Sequence, residues 1–597
     1  MTTTTPTAPR ELSAHWPGPT EGRLAFRVGY ADETLPTSGI TALVVALALR
    51  AVERPGLEVA ATVGPTVTEF RVTGTGERVR TTLHALASAL ADLPVRHRAS
   101  ETQALADRTP DVPPVQSWRF GHQGYGLGTD VRVGLYRVTD EDLRSWARAR
   151  FSATDALVWC RGAETPDLDV PLPAPAVAPH RAPEVGEAAW TLPAEALTGG
   201  TSVLWEGIVP DVPAAHVLAE VARRALFQNL RHDRGWTYDP AASVGALDGR
   251  YAALRLSAGL REETASEAIG EFLDTWGRLR HAVPADDLAT AKAHLLLAFD
   301  EPHQEAIWLP DDAVRTLLGR PVPTPAERRA EIEAVTVDDV MALARQAWDS
   351  GLLVAPVAEG WAGTAVVPRG AGPALDGQAF ERIDTDATVV VGEEGATLRA
   401  GRSRQTVRFA DTAALLAYPD GGRLLVGLDG AEIPFEPTLH DDLTAARVSA
   451  LVDAHVPADR VVPVPRSGAP ERPARQQTNA AAAARAARET QEKSMMQTAG
   501  AIATDTGRMV FELGKIALVG LLVLLMLAGV VGVVFAVVTV LVWVASWFDE
   551  GPQDWVVPAV VVPVGALCAV LTRFAYRMIL RMGGEVRPGR AEQGTRP

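Results

Sequence analysis

At 597 residues the chain exceeds what one hydrophobic core of about 250–300 residues supports, so several units are expected. A formal net charge of −16, with no basic stripe interleaved with aromatics, argues against bulk affinity for nucleic acid. Of the two cysteines, Cys160 and Cys568, the second falls in a long apolar run, so no disulfide framework is available and a reducing compartment fits.

Residues 1–18 read as a disordered leader: 1–10 are rich in Thr and Pro and lack the basic and apolar regions of a signal peptide. Residues 23–30 (RLAFRVGY) then read as a strand. A helix is expected over about 38–52, with Ser38 as its N-cap, and its unbroken apolar composition predicts burial on most faces. Residues 57–73 offer two strands broken near Gly64 and Pro65, and 78–93 has helical periodicity.

The chain then repeats itself. Val138-Thr139-Asp140-Glu141-Asp142-Leu143 opens one helix and Val335-Thr336-Val337-Asp338-Asp339-Val340 another, 197 residues on. Each start has a threonine able to cap, acids in the first turn where the helix dipole favours them, and an apolar strand after the helix, at 156–160 and 352–357. The fold class expected is therefore α+β, with two related domains at 19–183 and 184–368 joined through the Pro-rich stretch 171–183.

From 379 to 465 the pattern changes to short strands (388–392, 405–409, 423–433) closed by a helix over 442–456. This predicts a small mainly-β module similar in outline to a pleckstrin-homology domain. Residues 466–510 are rich in Ala, Arg and Gln and read as a linker.

Two uncharged runs complete the chain. Residues 516–548, 33 in all, would span roughly 50 Å as a helix against a hydrocarbon core near 30 Å. Residues 555–572, 18 in all, cross once if 574–576 extend them. A transmembrane hairpin is expected, with helices at 514–548 and 555–576. The loop between them carries Asp549, Glu550 and Asp554 but no Lys or Arg, whereas Arg508 and Lys515 precede the first span and Arg573, Arg577 and Arg581 follow the second. The positive-inside bias then puts both termini, the soluble domains and the tail 582–597 in the cytoplasm of a multi-pass cell-membrane protein.

The duplicated domains, the segment Gly39-Ile40-Thr41-Ala42-Leu43-Val44-Val45-Ala46-Leu47, the segment Leu230-Arg231-His232-Asp233-Arg234-Gly235-Trp236-Thr237-Tyr238 and the repeated Val-Thr-x-x-Asp starts resemble the insulinase (pitrilysin-like, mitochondrial-processing-peptidase-like) zinc peptidases over about residues 20–365. In that family the opening helix carries His-x-x-Glu-His. Two imidazoles one turn apart hold zinc, and the glutamate beside them activates its water. The resemblance places those positions at Ala42, Val45 and Ala46, none of which can bind a metal or accept a proton. The twelve histidines are scattered, with no His-x-x-x-His or Cys-x-x-Cys among them, and Glu101, a candidate third ligand, has no companion ligands. No catalytic residue, metal or cofactor is expected.

Arg231 and Tyr238, seven apart, match the family's arginine and tyrosine, which the resemblance implies contact the substrate backbone and steady an oxyanion. The plainer alternative stays open: Arg231 caps a helix end and Tyr238 starts a strand for packing alone. Gly124-Tyr125-Gly126-Leu127-Gly128 has phosphate-loop composition, but no lysine follows and no helix starts promptly, so a family-like loop is expected there. No Gly-x-Ser-x-Gly is present to supply a nucleophilic serine.

The resemblance therefore implies a non-catalytic, membrane-anchored subunit that binds peptide or supports a partner bearing the zinc motif. The alternative is a structural scaffold of a membrane complex with no role in proteolysis. An active metallopeptidase would need metal from a site outside the motif.

Overall fold

The computed structural model describes residues 9–472 except 53–55, 109–114, 130–132, 175–184, 186–187, 189, 199, 358–359, 368–372 and 402. The chain divides into two units, Met1–Ala474 and Arg475–Pro597, and the described residues belong to the first. The expected hairpin at 514–548 and 555–576, most of the linker 466–510 and the tail 582–597 lie outside the described residues. Among those described, no helix is long and apolar enough to cross a membrane.

The first half contains β1 (Arg10–His15), β2 (Thr20–Phe26), α1 (Ile40–Arg50), β3 (Glu58–Val63), β4 (Thr68–Gly74), α2 (Gly76–Ala91), α3 (Arg98–Ala106), α4 (Val115–Phe120), α5 (Asp140–Arg150) and β5 (Ala156–Gly162). The second contains β6 (Ala194–Leu197), β7 (Ser202–Pro210), α6 (Pro213–Leu226), β8 (Ala241–Ala246), β9 (Tyr251–Gly259), α7 (Ala265–Arg278), α8 (Ala285–Leu296), α9 (Gln304–Leu317), α10 (Pro325–Ala334), α11 (Val337–Asp349), β10 (Leu352–Ala355) and β11 (Ala365–Val366).

The two sheets have the same plan. The first runs β1-β5-β2-β4-β3 and the second β11-β6-β10-β7-β9-β8, so strand for strand the order repeats, with β11 added outside β6. Senses repeat too: β1 is parallel to β5 as β6 is to β10, while β2–β5 and β7–β10 are antiparallel. Each sheet buries one face under its own helices, α1, α2 and α5 in the first half and α6, α7 and α11 in the second. The repeated helix starts form the same local structure. The Thr139 amide donates to Asp142 at 2.8 Å and the Asp142 amide to the Thr139 hydroxyl at 3.2 Å, and Thr336 and Asp339 make the same pair of bonds at 2.9 and 3.2 Å. Bonds to the carboxyl from the threonine hydroxyl, at 2.7 and 2.6 Å, and from the threonine amide hold both aspartates below their usual range.

Three expectations change. Residues 10–15, expected in a leader, form β1, because Leu12, Ala14 and Trp16 pack with Leu157 and Trp159 while the backbone pairs along β5. Ser38 does not cap α1, because its hydroxyl donates to the Leu35 carbonyl at 2.9 Å. Gly39 takes the cap position with φ +88°, and the Glu33 carboxylate accepts from the amides of Gly39 (2.7 Å) and Thr41 (2.9 Å). The helix expected over 442–456 is shorter, Ala445–Leu451, and does not close its module.

The halves are joined by exchanged helices. From the first half, α4 lies on the second sheet: Val115 sits among Ala194, Ala196, Leu352 and Val354, and Arg119 bonds Glu206 of β7 at 3.0 Å and the Ser350 carbonyl at 2.8 Å. Conversely, α9 of the second half lies on the first sheet, with Ala306, Leu309 and Ala313 against Ala14, Leu157 and Trp159, and Arg161 donates to the Ala306 carbonyl at 2.9 Å.

The small module contains β12 (Gln378–Glu381), β13 (Ala387–Val391), β14 (Gly395–Ala400), β15 (Ser403–Arg408), β16 (Thr412–Ala417), β17 (Arg423–Gly427), β18 (Glu432–Phe435), α12 (Ala445–Leu451) and β19 (Val461–Pro463). These form two four-stranded sheets, β12-β13-β14-β15 and β18-β17-β16-β19. After α12 the chain returns to the sheet as β19, parallel to β16, because Val462 is an apolar strand residue buried against the core. The module seats on both halves: Ala414, Leu416, Val426 and Val462 pack with Tyr30, Leu35 and Phe120 of the first and Leu247 and Ala253 of the second. Contact is close at Gly121, where a Cβ would stand 1.9 Å from the Leu428 carbonyl oxygen. The neighbouring His122 amide donates to that carbonyl at 3.0 Å. The Gly-rich stretch 124–128 is thus part of a packed joint, with Tyr125 and Leu127 buried in it.

Candidate functional site

The helix that the family resemblance assigns to the metal is spent on the core. Along α1, Leu43, Val44, Val45, Leu47 and Ala48 are buried among residues of β2, β4, α2 and α5. Val45, at the position of the family's glutamate, is 6% exposed, and Ala42 and Ala46 are partly covered. Glu101 on α3 faces this helix, but its carboxylate pairs with Arg50 at 3.2 Å. Among the described residues there is no group of three or more His, Cys, Asp or Glu side chains placed to hold a metal. What stands at the start of α1 is a buried acid from the segment before it. Burial pushes the Glu33 carboxyl up to about 7, although the Thr41 hydroxyl and the Thr41 and Gly39 amides pull it down.

The equivalent region of the second half is built differently. α6 begins with Pro213 in its first turn and packs its apolar face into the second core. It then runs into a π-helical stretch, Phe227–Asp233, anchored by buried Leu230 and by Asn229, whose amide donates to Thr275 at 2.8 Å. The wider turn sets the closing bonds. The Gly235 amide reaches the Arg231 carbonyl at 3.1 Å and the Trp236 amide the Leu230 carbonyl at 2.9 Å, each one residue longer than in the Schellman closure of an α-helix. Gly235 turns the chain at φ +67°, a backbone that a side chain at this position would strain.

This turn brings Arg231 and Tyr238 together. The Arg231 guanidinium carbon lies 5.3 Å from the centre of the Tyr238 ring, and the ring is 74% exposed. So Tyr238 does not start a packed strand; β8 begins later, at Ala241. A third residue, absent from the sequence-based expectations, completes the group: Arg261 lies 5.4 Å from the same ring. Its only sequence signal is an arginine following β9, because the β8–β9 hairpin separates it from Tyr238. Nearby, Arg234 stacks on Trp236 at 4.9 Å and pairs with Glu271 at 3.1 Å. Asp233 accepts from Gln228 at 2.8 Å and lies 2.9 Å from the His232 ring nitrogen, which holds its carboxyl low. Among the described residues no hydrogen bond, ion pair or ring contact connects this group to Ala42, Val45 or Ala46.

Such a surface offers fixed positive charge, planar donor forks and one neutral hydroxyl, and it can bind and orient an acceptor-bearing chain. Residues 205–295, from β7 into α8, match the family described as Peptidase M16 inactive domain. The chain is insulinase-like. The matched stretch contains Arg231, Tyr238 and Arg261, and the insulinase-like chain has the mixed α+β architecture expected of it. Solved structures similar to it include complex III2 from Candida albicans with Inz-5 bound, at 16% identity and TM-score 0.48, covering 57% of this chain and 92% of that one. A protease from Helicobacter pylori is similar at 14% identity and TM-score 0.49, covering 59% and 98%. A peptidase M16 inactive domain from Pseudomonas fluorescens is similar at 13% identity and TM-score 0.47, covering 60% and 96%. Likeness of this degree says nothing of activity. No curated protein matches the chain.

Proposed function

We propose that this insulinase-like chain is a non-catalytic, membrane-anchored subunit that presents a peptide-binding surface to a partner bearing the zinc motif. One observation carries the reading. The positions that would hold zinc are Ala42, Val45 and Ala46 on a helix given over to the core, whereas Arg231 and Tyr238 stand together at the surface with the ring 74% exposed. A tyrosine kept for packing would be covered; this one is held out by a π-turn and a left-handed glycine. Loss of the metal helix with retention of the substrate-contacting pair is what a division of labour between two subunits leaves in one of them.

The anchor in this proposal is the pair of uncharged runs 516–548 and 555–572, and the basic residues outside them orient the soluble unit to the cytoplasm. The module around 379–465 keeps its pleckstrin-homology-like outline only as part of the proposal, since its chain returns to a sheet after α12.

The test is purification of the tagged full chain from native membranes in mild detergent, with identification of the proteins that come with it. Recovery of a protein containing His-x-x-Glu-His supports the reading. Repeated recovery of the chain with no such protein overturns it.

A further inference from the structure

Within this surface, Arg261 and the state of the charges around Tyr238 narrow the ligand. Two guanidinium groups, Arg231 and Arg261, lie against one exposed ring at 5.3 and 5.4 Å. Among the described residues neither makes an ion pair or a side-chain hydrogen bond. The acids that could neutralise them are engaged elsewhere: Asp233 with Gln228 and His232, and Glu271 with Arg234 and Arg278 at 3.1 and 3.2 Å. Asp239 acts on Arg223, which Glu220 already holds at 2.7 Å. Glu262 and Glu263 follow Arg261 in a short turn, and neither pairs with it. Arg231 and Arg261 are thus two like charges gathered on one ring, and like charges repel.

A second observation comes from Thr237, the residue before Tyr238. It is 2% exposed, yet its hydroxyl has no hydrogen-bond partner among the described residues. It lies beside Gly259, where a Cβ would stand 4.0 Å from that oxygen, two residues before Arg261. A buried hydroxyl left unpaired is costly, and this one stands next to the exposed ring in the chain.

We propose that Arg231, Arg261 and the Tyr238 hydroxyl receive a carboxylate of the bound peptide. The inference rests on the peptide-binding reading and adds the chemical class of the ligand and a third binding residue. A carboxylate has two oxygens and about four acceptor sites, and it matches planar guanidinium forks better than a neutral amide does. The carboxylate comes from a peptide C-terminus or from an acidic side chain.

The experiment measures fluorescence anisotropy of the full-length chain with three labelled decapeptides of one neutral Ala/Ser/Leu sequence. The first has a C-terminal amide, the second a free C-terminus, and the third two internal glutamates and a C-terminal amide. At least one carboxylate-bearing peptide is expected to bind about tenfold tighter than the neutral amide, as a charge-assisted bond supplies. Whichever binds names the source. Arg261→Ala removes that advantage and Arg261→Lys restores part of it, while neither alters the melting temperature, because the side chain is at the surface. Equal affinity for all three peptides, unchanged in Arg261→Ala, overturns the carboxylate site and leaves the peptide-binding reading standing. Binding of none of them overturns both.

Discussion

The helix α1 and the stretch from α6 to Tyr238 occupy the same place in two copies of one sheet plan, and they have been put to opposite uses. α1 connects β2 to β3 and turns nearly all its side chains to the interior, with Val45 at 6% exposure where the family resemblance puts a catalytic glutamate. α6 connects β7 to β8, but its last turn widens into a π-helix, and the turn after it leaves Arg231 and Tyr238 at the surface, where the β8–β9 hairpin brings Arg261 to the same ring. A shared backbone plan therefore does not carry chemistry by itself. The positions that the resemblance assigns to the metal are filled by residues that stabilise the core, while the Arg231–Tyr238 surface carries side chains that contribute little to it.

The comparison is broken most directly by reversing the substitution. A triple variant, Ala42→His, Val45→Glu and Ala46→His, rebuilds the zinc motif in sequence. It places a carboxylate at a buried apolar position, and Glu101, the candidate third ligand, is already paired with Arg50. The expected result is a loss on the order of 3–5 kcal/mol in urea unfolding, with no stoichiometric zinc by elemental analysis. A stable variant that takes up one zinc per chain would show that α1 still faces a metal-ready cleft, and the contrast with the second half would fall.

The next effect is smaller and lies at the entrance to the same helix. Burial raises the Glu33 carboxyl from 4.5 to about 7, so the folded chain holds this proton more tightly than the unfolded one. Its contribution is fully present below pH 4.5 and is lost as pH rises through about 7, amounting to at most about 3 kcal/mol. Unfolding free energies measured from pH 5 to 8 should fall relative to those of Glu33→Gln, which lacks the titration. A parallel pair of curves would mean that the bonds from Gly39 and Thr41 offset the burial completely.

Much of the plan was legible because it rests on local, periodic signals. The Thr139 and Thr336 caps, with aspartates three residues on, announce themselves in sequence and form as written. The apolar run of α1 predicts its burial, and the break at Gly64 and Pro65 separates β3 from β4. The hidden features depend on tertiary partners. β1 has an ordinary polar sequence and is a strand because β5 and α9 cover it. The exchange of α4 and α9 between sheets leaves no periodic trace. Glu33 caps a helix that starts six residues later at a glycine, and no capping pattern reaches that far. In the site, spacing and resemblance point to Arg231 and Tyr238, but Arg261 is invisible in sequence because a β-hairpin delivers it.

The smallest stability effect is expected at the exposed surface around Tyr238. Tyr238 is 74% exposed, and Arg231 meets it only through a cation–π contact at 5.3 Å, an interaction worth about 0.5–1 kcal/mol at exposed sites. Tyr238→Ala and Arg231→Ala, singly, should therefore shift unfolding free energy by about 0.5–1 kcal/mol or less. If the segment exists to bind, both variants should lose peptide affinity by about tenfold while keeping that stability. If the chain is instead a scaffold of a membrane complex, the same variants should leave assembly and function intact, and disruption of a domain surface elsewhere should abolish them. A third outcome is equally decisive: a destabilisation above about 2 kcal/mol from Tyr238→Ala would make the ring a structural element despite its exposure. The distinction matters because the proposed function assigns stability to α1 and binding to the Arg231–Tyr238 turn, and only a variant that moves one without the other demonstrates it.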